Sequence, residues 1–263
     1  MWEVVVELST INVAVDECYT GTGSKQTILA RSGMVVMKVA SNVVAGVFHK
    51  TAVIENLIID GKDANGGISV GSVGILLQNV YNCVIRNVTI LNCEVGIKIE
   101  NTGSYWSQSN RIEHVRMENV KTGILFSASV GNSGDFGFTT IKDVGIKLSE
   151  TAGLNVGIQI GTSENFVAKL YSSFIKATVW ISDREAGYGM RIYGELKYSL
   201  VMFAVECPGA DKTVSVARVG VGISNLQNGA VFDNQSFMLS YGTMVISLES
   251  PFFLNHDIVT EAI

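Results

Sequence analysis

Three groups of residues have the types and spacing that chemistry needs. The first mixes acids and a cation: Asp183 and Glu185 flank Arg184, and Arg191 and Glu195 follow on a strand-like run. A carboxyl pair can serve as acid and base at a sugar linkage, while a guanidinium holds the charge that develops. The same residues also make a solvated charged turn, and that plainer reading is the stronger one. Asp183, Glu185, Arg191 and Glu195 are therefore catalytic candidates without an assigned role. The second group is Tyr105 and Trp106, in a loop with Ser104, Ser107 and Gln108. An aromatic face can stack on a sugar while polar neighbours hydrogen-bond to it, so this pair is the candidate for carbohydrate contact. The alternative is that the rings fold back over a strand or an oligomer interface. The third is His114, a residue type able to act as a general base near neutral pH.

His114 stands in a column that gives it a second explanation. The chain repeats Ile54-Glu55-Asn56-Leu57 as Ile85-Arg86-Asn87-Val88, Ile112-Glu113-His114-Val115 and Ile141-Lys142-Asp143-Val144. The polar column Asn56, Asn87, His114, Asp143 steps by 31, 27 and 29 residues. A short polar side chain at a bend tolerates unusual backbone angles and can bond to the next copy, so all four are read as a structural ladder. A glycine column follows at Gly74, Gly96, Gly123, Gly157 and, by spacing, Gly189. Around both columns the aliphatics alternate: Val88 and Ile90, Val115 and Met117, Ile97 and Ile99, Ile124 and Phe126. Period-two runs this short are strands with one buried face. Irregular steps suit stacked coils whose turns swell freely, and two prolines in the whole chain leave the backbone ladder uninterrupted. The fold expected is all-β, a parallel solenoid. The charged row Glu55, Arg86, Glu113, Lys142 alternates in sign and reads as a device that sets register.

The pattern Val84-Ile85-Arg86-Asn87-Val88-Thr89-Ile90, followed by Gly96-Ile97-Lys98-Ile99, resembles the right-handed parallel β-helix of the pectin-lyase-like superfamily, which includes pectate lyases, polygalacturonases and phage tailspikes. The resemblance covers about residues 51 to 195 and implies a right-handed, single-stranded parallel β-helix. It does not imply an activity. Trp180-Ile181-Ser182-Asp183 echoes the Trp-Ile-Asp-His motif of pectate lyases but lacks the histidine after its aspartate. The Asn-Thr-Asp, Asp-Asp, Gly-His-Gly and Arg-Ile-Lys set of polygalacturonases and the Asp-Pro-His-Glu of mannuronan epimerases are absent.

Composition narrows the partners. Charged residues are 16%, mean hydropathy is +0.32 and net charge is −5. With no Lys/Arg cluster, a nucleic-acid partner is not expected. No run reaches the length of a membrane span, and Met1-Trp2-Glu3 does not begin a signal peptide. Cys18, Cys83, Cys93 and Cys207 show neither CxxC nor a metal spacing, so they read as small buried hydrophobes, and no cofactor or metal is expected. Two sequons, at Asn87 and Asn234, occur, and the ladder position of Asn87 argues against its being accessible.

Three segments are expected: opening coils over 1–50, the regular β-helix over 51–197, and over 198–263 a less regular β-rich stretch of terminal coils, cap or oligomerisation segment. In the last, strands are expected at Ser215–Gly222, Ala230–Asp233 and Met244–Leu248. No capping segment precedes the first coil, which points to another protein covering that end or to a late start at Met1. Uncharged strand surfaces favour lateral packing, so a homo-oligomer, with a trimer favoured, or neighbouring structural subunits are the expected partners. The function expected is a structural or adhesion β-helix, a virion spike, fibre or surface component that binds glycans or other subunits without catalysis. The alternative is a polysaccharide depolymerase, a lyase or glycoside hydrolase, using Asp183 to Glu195.

Overall fold

Asn82, Asn87 and Asn92 stand five residues apart, and each takes a left-handed backbone, with φ of 60°, 54° and 52°. Asparagine accepts that conformation because its short amide can bond to nearby backbone. The spacing recurs as Ser109, His114 and Asn119 (φ 55°, 53° and 54°) and again as Phe138 and Asp143, both at 53°. Between bends only a few residues remain, so the segments are short strands such as Val84–Arg86, Thr89–Leu91, Arg111–Glu113 and Arg116–Val120. The structure is a computed structural model. It describes residues 11–13, 18–20, 26–29, 34–40, 52–102, 106–128, 134–151, 153, 155–162, 168–181, 187–197, 199–206, 218–224, 235–240 and 247–248.

Each strand pairs in parallel with its counterpart one repeat later. In one sheet Val35–Ala40, Ser69–Gln78, Cys93–Asn101, Thr122–Ala128, Asn155–Ile160 and Gly187–Lys197 lie in that order. Register puts Ile75 beside Ile97, Ile97 beside Ile124, Ile124 beside Ile158 and Ile158 beside Met190, all fully buried. Each such side chain contributes on the order of 1.5–3 kcal/mol on burial, and most of its contacts are with the coils on either side. The fold is a parallel β-solenoid, and no helix is found among the described residues.

The glycine column is required by two neighbours at once. A Cβ on Gly96 would stand 2.7 Å from the Gly123 carbonyl oxygen and 2.7 Å from the Met117 sulfur. On Gly123 it would stand 2.5 Å from the Gly157 oxygen and 2.8 Å from Ile146. Gly157 meets the Gly189 oxygen in the same way, which brings Gly189 into the column. Coils here touch backbone to backbone, with the facing aliphatic pressed into the gap.

The bend columns bond from coil to coil. The amide of Asn87 donates to the Glu113 carbonyl at 3.2 Å and that of His114 to the Lys142 carbonyl at 3.0 Å. A second column escaped the sequence reading: Asn119 Nδ2 donates to Asn92 Oδ1 at 2.7 Å, and Asn92 Nδ2 to Asp60 Oδ1 at 2.7 Å. Asn87, expected to be inaccessible, is exposed, because a bend residue turns its side chain outward, and its amide reaches Asn56 only at 3.4 Å. Beyond Lys197 parallel pairing continues through Leu200–Glu206, Arg218–Ser224, Gln235–Ser240 and Ser247–Leu248. The strand expected at Ala230–Asp233 lies outside the described residues.

Candidate functional site

The first ladder ends at Asp143. Lys142 is in register with Lys176 and Val144 with Ala177, so the next strand has no residue to match Asp143. The second column has already ended one coil earlier. Glu118 is in register with Lys147 and Val120 with Leu148, which leaves Asn119 unmatched. Thr140–Leu148 and Phe174–Trp180 are consequently continuous strands where earlier coils carry two short ones. A residue present in one strand and missing from its partner is a bulge, which bends the strand and re-aims side chains. Where the bent coil meets the flatter ones lies an open groove of about 700 Å³. Its walls are His114, Arg116, Glu118, Asp143, Lys147 and Trp180, with Gly145 on its floor. A second hollow of about 220 Å³ shares Glu118 and Lys147 and extends to Glu150.

Trp180 is in register with Lys147, yet its ring crosses the diagonal to the preceding coil. A Cβ on Gly145 would stand 3.1 Å from Cζ3 and 3.4 Å from Cη2 of Trp180. Aromatic side chains reach diagonal neighbours on a sheet, and a glycine there leaves room for the ring to lie down. The result is a half-buried aromatic surface on the groove wall.

The charges around it are unevenly spent. Arg116 is ion-paired with Glu118 on its own strand. Asp143 takes a hydrogen bond from Lys176 Nζ at 2.7 Å and lies 3.8 Å from His114 Nδ1. The hydrogen bond from Lys176, with Lys142 and His114 nearby, holds the Asp143 carboxyl below its ordinary value. In the earlier coils the charged row alternates, Glu55 against Arg86 (an ion pair) and Arg86 against Glu113. At Lys142 and Lys176 the alternation breaks and two cations stand side by side. Like charges in that position are destabilising. Lys147 adds a third lysine to these two strands, in register with Glu118, while Asp143 is ion-paired with Lys176.

A second surface lies at the corner where these same strands begin. Tyr171 spreads its ring over Gly137 of the preceding coil, its hydroxyl accepting from Gln108 Nε2 and hydrogen-bonded to Asp135. Burial and Asp135 push the Tyr171 phenol up. Phe138 packs edge-on against this ring at 5.6 Å between centroids, and it is 55% exposed.

The residues singled out in the sequence are dispersed. Tyr105, Asp183 and Glu185 lie outside the described residues, and Glu195 is described only as backbone, in register with Lys169. Arg191 lies between two rings, its Cζ 4.8 Å from the centre of Tyr188 and 4.6 Å from that of Tyr193. Trp106 packs in a T-shaped pair with Tyr81, 5.7 Å between centroids. Asn56, Asn87, His114 and Asp143 occupy one bend column, and His114 and Asp143 also line the groove. Sequence reasoning missed Arg116, Glu118, Gly145 and Lys147, and took Trp180 only as the head of a motif. The legible signal was Gly145, a glycine at an outward strand position, where a close approach is the usual cause.

Among the described residues no three His, Cys, Asp or Glu side chains gather as a metal would need. Cys83 and Cys93 lie inside the coil, and burial pushes both thiols up to about 12, so neither offers a thiolate near neutral pH.

Residues 6–136 match the family described as NosD: Periplasmic copper-binding protein. Copper takes soft or imidazole ligands, and the described residues of that stretch, with protonated core thiols and a lone bend histidine, do not form such a set. No curated protein matches the chain. Among solved structures, tailspike protein 3 of Bacteriophage CBA120 is similar at 9% identity with a TM-score of 0.17. That alignment covers 90% of this chain and 58% of the tailspike, so the chain spans less than two thirds of that protein's length.

Proposed function

We propose that this chain, a right-handed parallel β-helix of the pectin-lyase-like type, is a non-catalytic surface protein that holds an acidic glycan in the Trp180 groove. One observation carries the reading: the Trp180 ring laid over Gly145 beside Lys147 in the groove, with Lys142 and Lys176 farther back on the same two strands. A pyranose offers an apolar face of C–H groups to an aromatic ring, and its carboxylate or sulfate is drawn to ammonium groups. Arg116 is paired with Glu118 and Lys176 with Asp143, which leaves Lys142 and Lys147 to attract an anionic ligand. The chain works in this role at an extracellular or virion surface, as a homo-oligomer whose uncharged strand faces pack against copies or neighbouring subunits. Low charge over the whole chain, 16%, supports the lateral packing. No copper role is proposed.

The test is calorimetric titration with oligogalacturonates and sulfated oligosaccharides, with neutral dextran oligomers as control. Trp180→Ala is expected to weaken binding of the acidic ligands by about tenfold or more, the scale of a lost aromatic anchor, while the melting temperature holds. Binding should also weaken as salt rises, since the lysines are exposed. Equal affinity in the parent and Trp180→Ala would remove the groove from the reading.

A further inference from the structure

The column Asn82, Ser109, Phe138, Ser172 is left-handed throughout, with φ of 60°, 55°, 53° and 48°. Three of its members are small and polar, as that conformation prefers. A phenylalanine there is a steric outlier, since a bulky side chain crowds the following carbonyl. Strain of this kind is retained where the surroundings or a function demand it. Packing does not demand it: more than half of Phe138 faces solvent, and among the described residues its one ring contact is the T-shaped pair with Tyr171. Tyr171, by contrast, is fixed by Gln108, by Asp135 and by its seat on Gly137. The corner is a firm aromatic base with a strained second ring held outward.

Its position in the fold ties it to the groove. Phe138 stands two residues before the strand Thr140–Leu148, and Tyr171 three residues before Phe174–Trp180. Those are the two strands whose far ends carry Lys147 and Trp180. The outer face between holds partly exposed Thr140 and Phe174, then exposed Lys142 and Lys176. From Phe138 to Lys147 is at most about 30 Å along the strand. An aromatic station thus stands at each end of one two-coil face, with the unalternated lysines midway.

We infer that the groove is one end of an extended track, and that the Phe138–Tyr171 corner is a second sugar-stacking station that selects for oligosaccharide length. The inference rests on the glycan reading of the Trp180 groove. A ligand too short to run the length of the two strands engages Trp180 and the lysines alone. A longer one also reaches Phe138, and the gain in affinity offsets the backbone strain at that position. The two rings of the corner, Phe138 and Tyr171, meet the unit held there by its C–H face.

The experiment compares the parent, Phe138→Asn and Trp180→Ala, each titrated with a disaccharide and an octasaccharide of the same acidic polymer. Phe138→Asn installs the residue that Asn82 already places in this column. It is expected to bind the disaccharide as the parent does, to bind the octasaccharide several-fold more weakly, and to melt no lower than the parent. Trp180→Ala is expected to weaken both ligands. An octasaccharide affinity unchanged in Phe138→Asn but lowered in Trp180→Ala would overturn the second station and leave the groove standing. Unchanged disaccharide binding in Trp180→Ala would overturn the groove and the track with it. A fall of several degrees in the melting temperature of Phe138→Asn, with both ligands weakened alike, would make Phe138 a packing residue and also overturn the inference.

Discussion

The coils from Val53 to Val120 and those from Thr140 to Lys197 are built on the same aliphatic columns, yet their outer faces follow different rules. In the first, left-handed residues recur every fifth position, strands are short, and the charged row alternates from Glu55 to Arg86 to Glu113. In the second, the columns of Asn87 and Asn92 end while that of Asn82 continues at Ser172, strands lengthen, and Lys142 meets Lys176. The inner columns do not change: Ile124, Ile158 and Met190 are as buried as Ile75 and Ile97. The difference teaches that the repeat is two devices superposed, an inner one that holds the stack and an outer one that lapses without cost to the core. Where the outer device lapses, the groove lies.

That contrast can be broken most severely from within the first region. Ile97→Asp buries an unpaired carboxylate at a fully buried position and is expected to abolish folding, as circular dichroism would show. A folded variant would mean that the Ile75–Ile97–Ile124 column is not the core. The next effect is alkaline. In the folded chain the Cys83 and Cys93 thiols are pushed from 9.0 up to about 12. Below pH 9 both states hold the protons and the full stability is present. Between pH 9 and 12 the unfolded chain loses them while the folded chain keeps them, so stability falls, by up to roughly 4 kcal/mol per thiol at the upper end. Cys93→Ala should flatten that fall in melting temperature between pH 8 and 11, and an unchanged slope would show the thiol to be solvated. Smaller again is Gly123→Ala, which presses a methyl onto the Gly157 oxygen and Ile146; a loss of about 1–3 kcal/mol by urea unfolding is expected. At the small end for stability stands Trp180→Ala, predicted to leave melting almost unmoved while binding falls. A large fall in melting temperature there would erase the distinction between the two regions.

The inner device was legible in the sequence because it is periodic. Ile, Val and Leu at alternate positions, and glycine at its own spacing, recur whether or not turns of different length intervene. The first bend column was legible for the same reason. The second was not, because the position in register before Asn92 and Asn119 is Gly61, the bonding Asp60 stands one residue out of step, and two copies do not make a visible period. The groove was illegible for a different reason. Gly145 and Trp180 are 35 positions apart in the chain, and the ring meets the glycine on a diagonal that depends on register. Register in turn depends on the unmatched Asp143, a single residue whose effect no local pattern announces. Sequence reasoning sought chemistry in the turn after Trp180. The observed groove lies on the strand before it, where charge and ring come from consecutive coils.

That division of the groove between coils has a consequence for how the protein becomes competent. Gly145 alone is a gap in a strand, and Trp180 alone is a loose ring at a strand's end. A growing chain therefore has no groove until the strand ending at Trp180 has closed on the one before it. On the proposed reading the groove exists only once both strands are made and paired, and any cut between Leu148 and Phe174 that lets the two coils part would abolish it without touching a single groove residue.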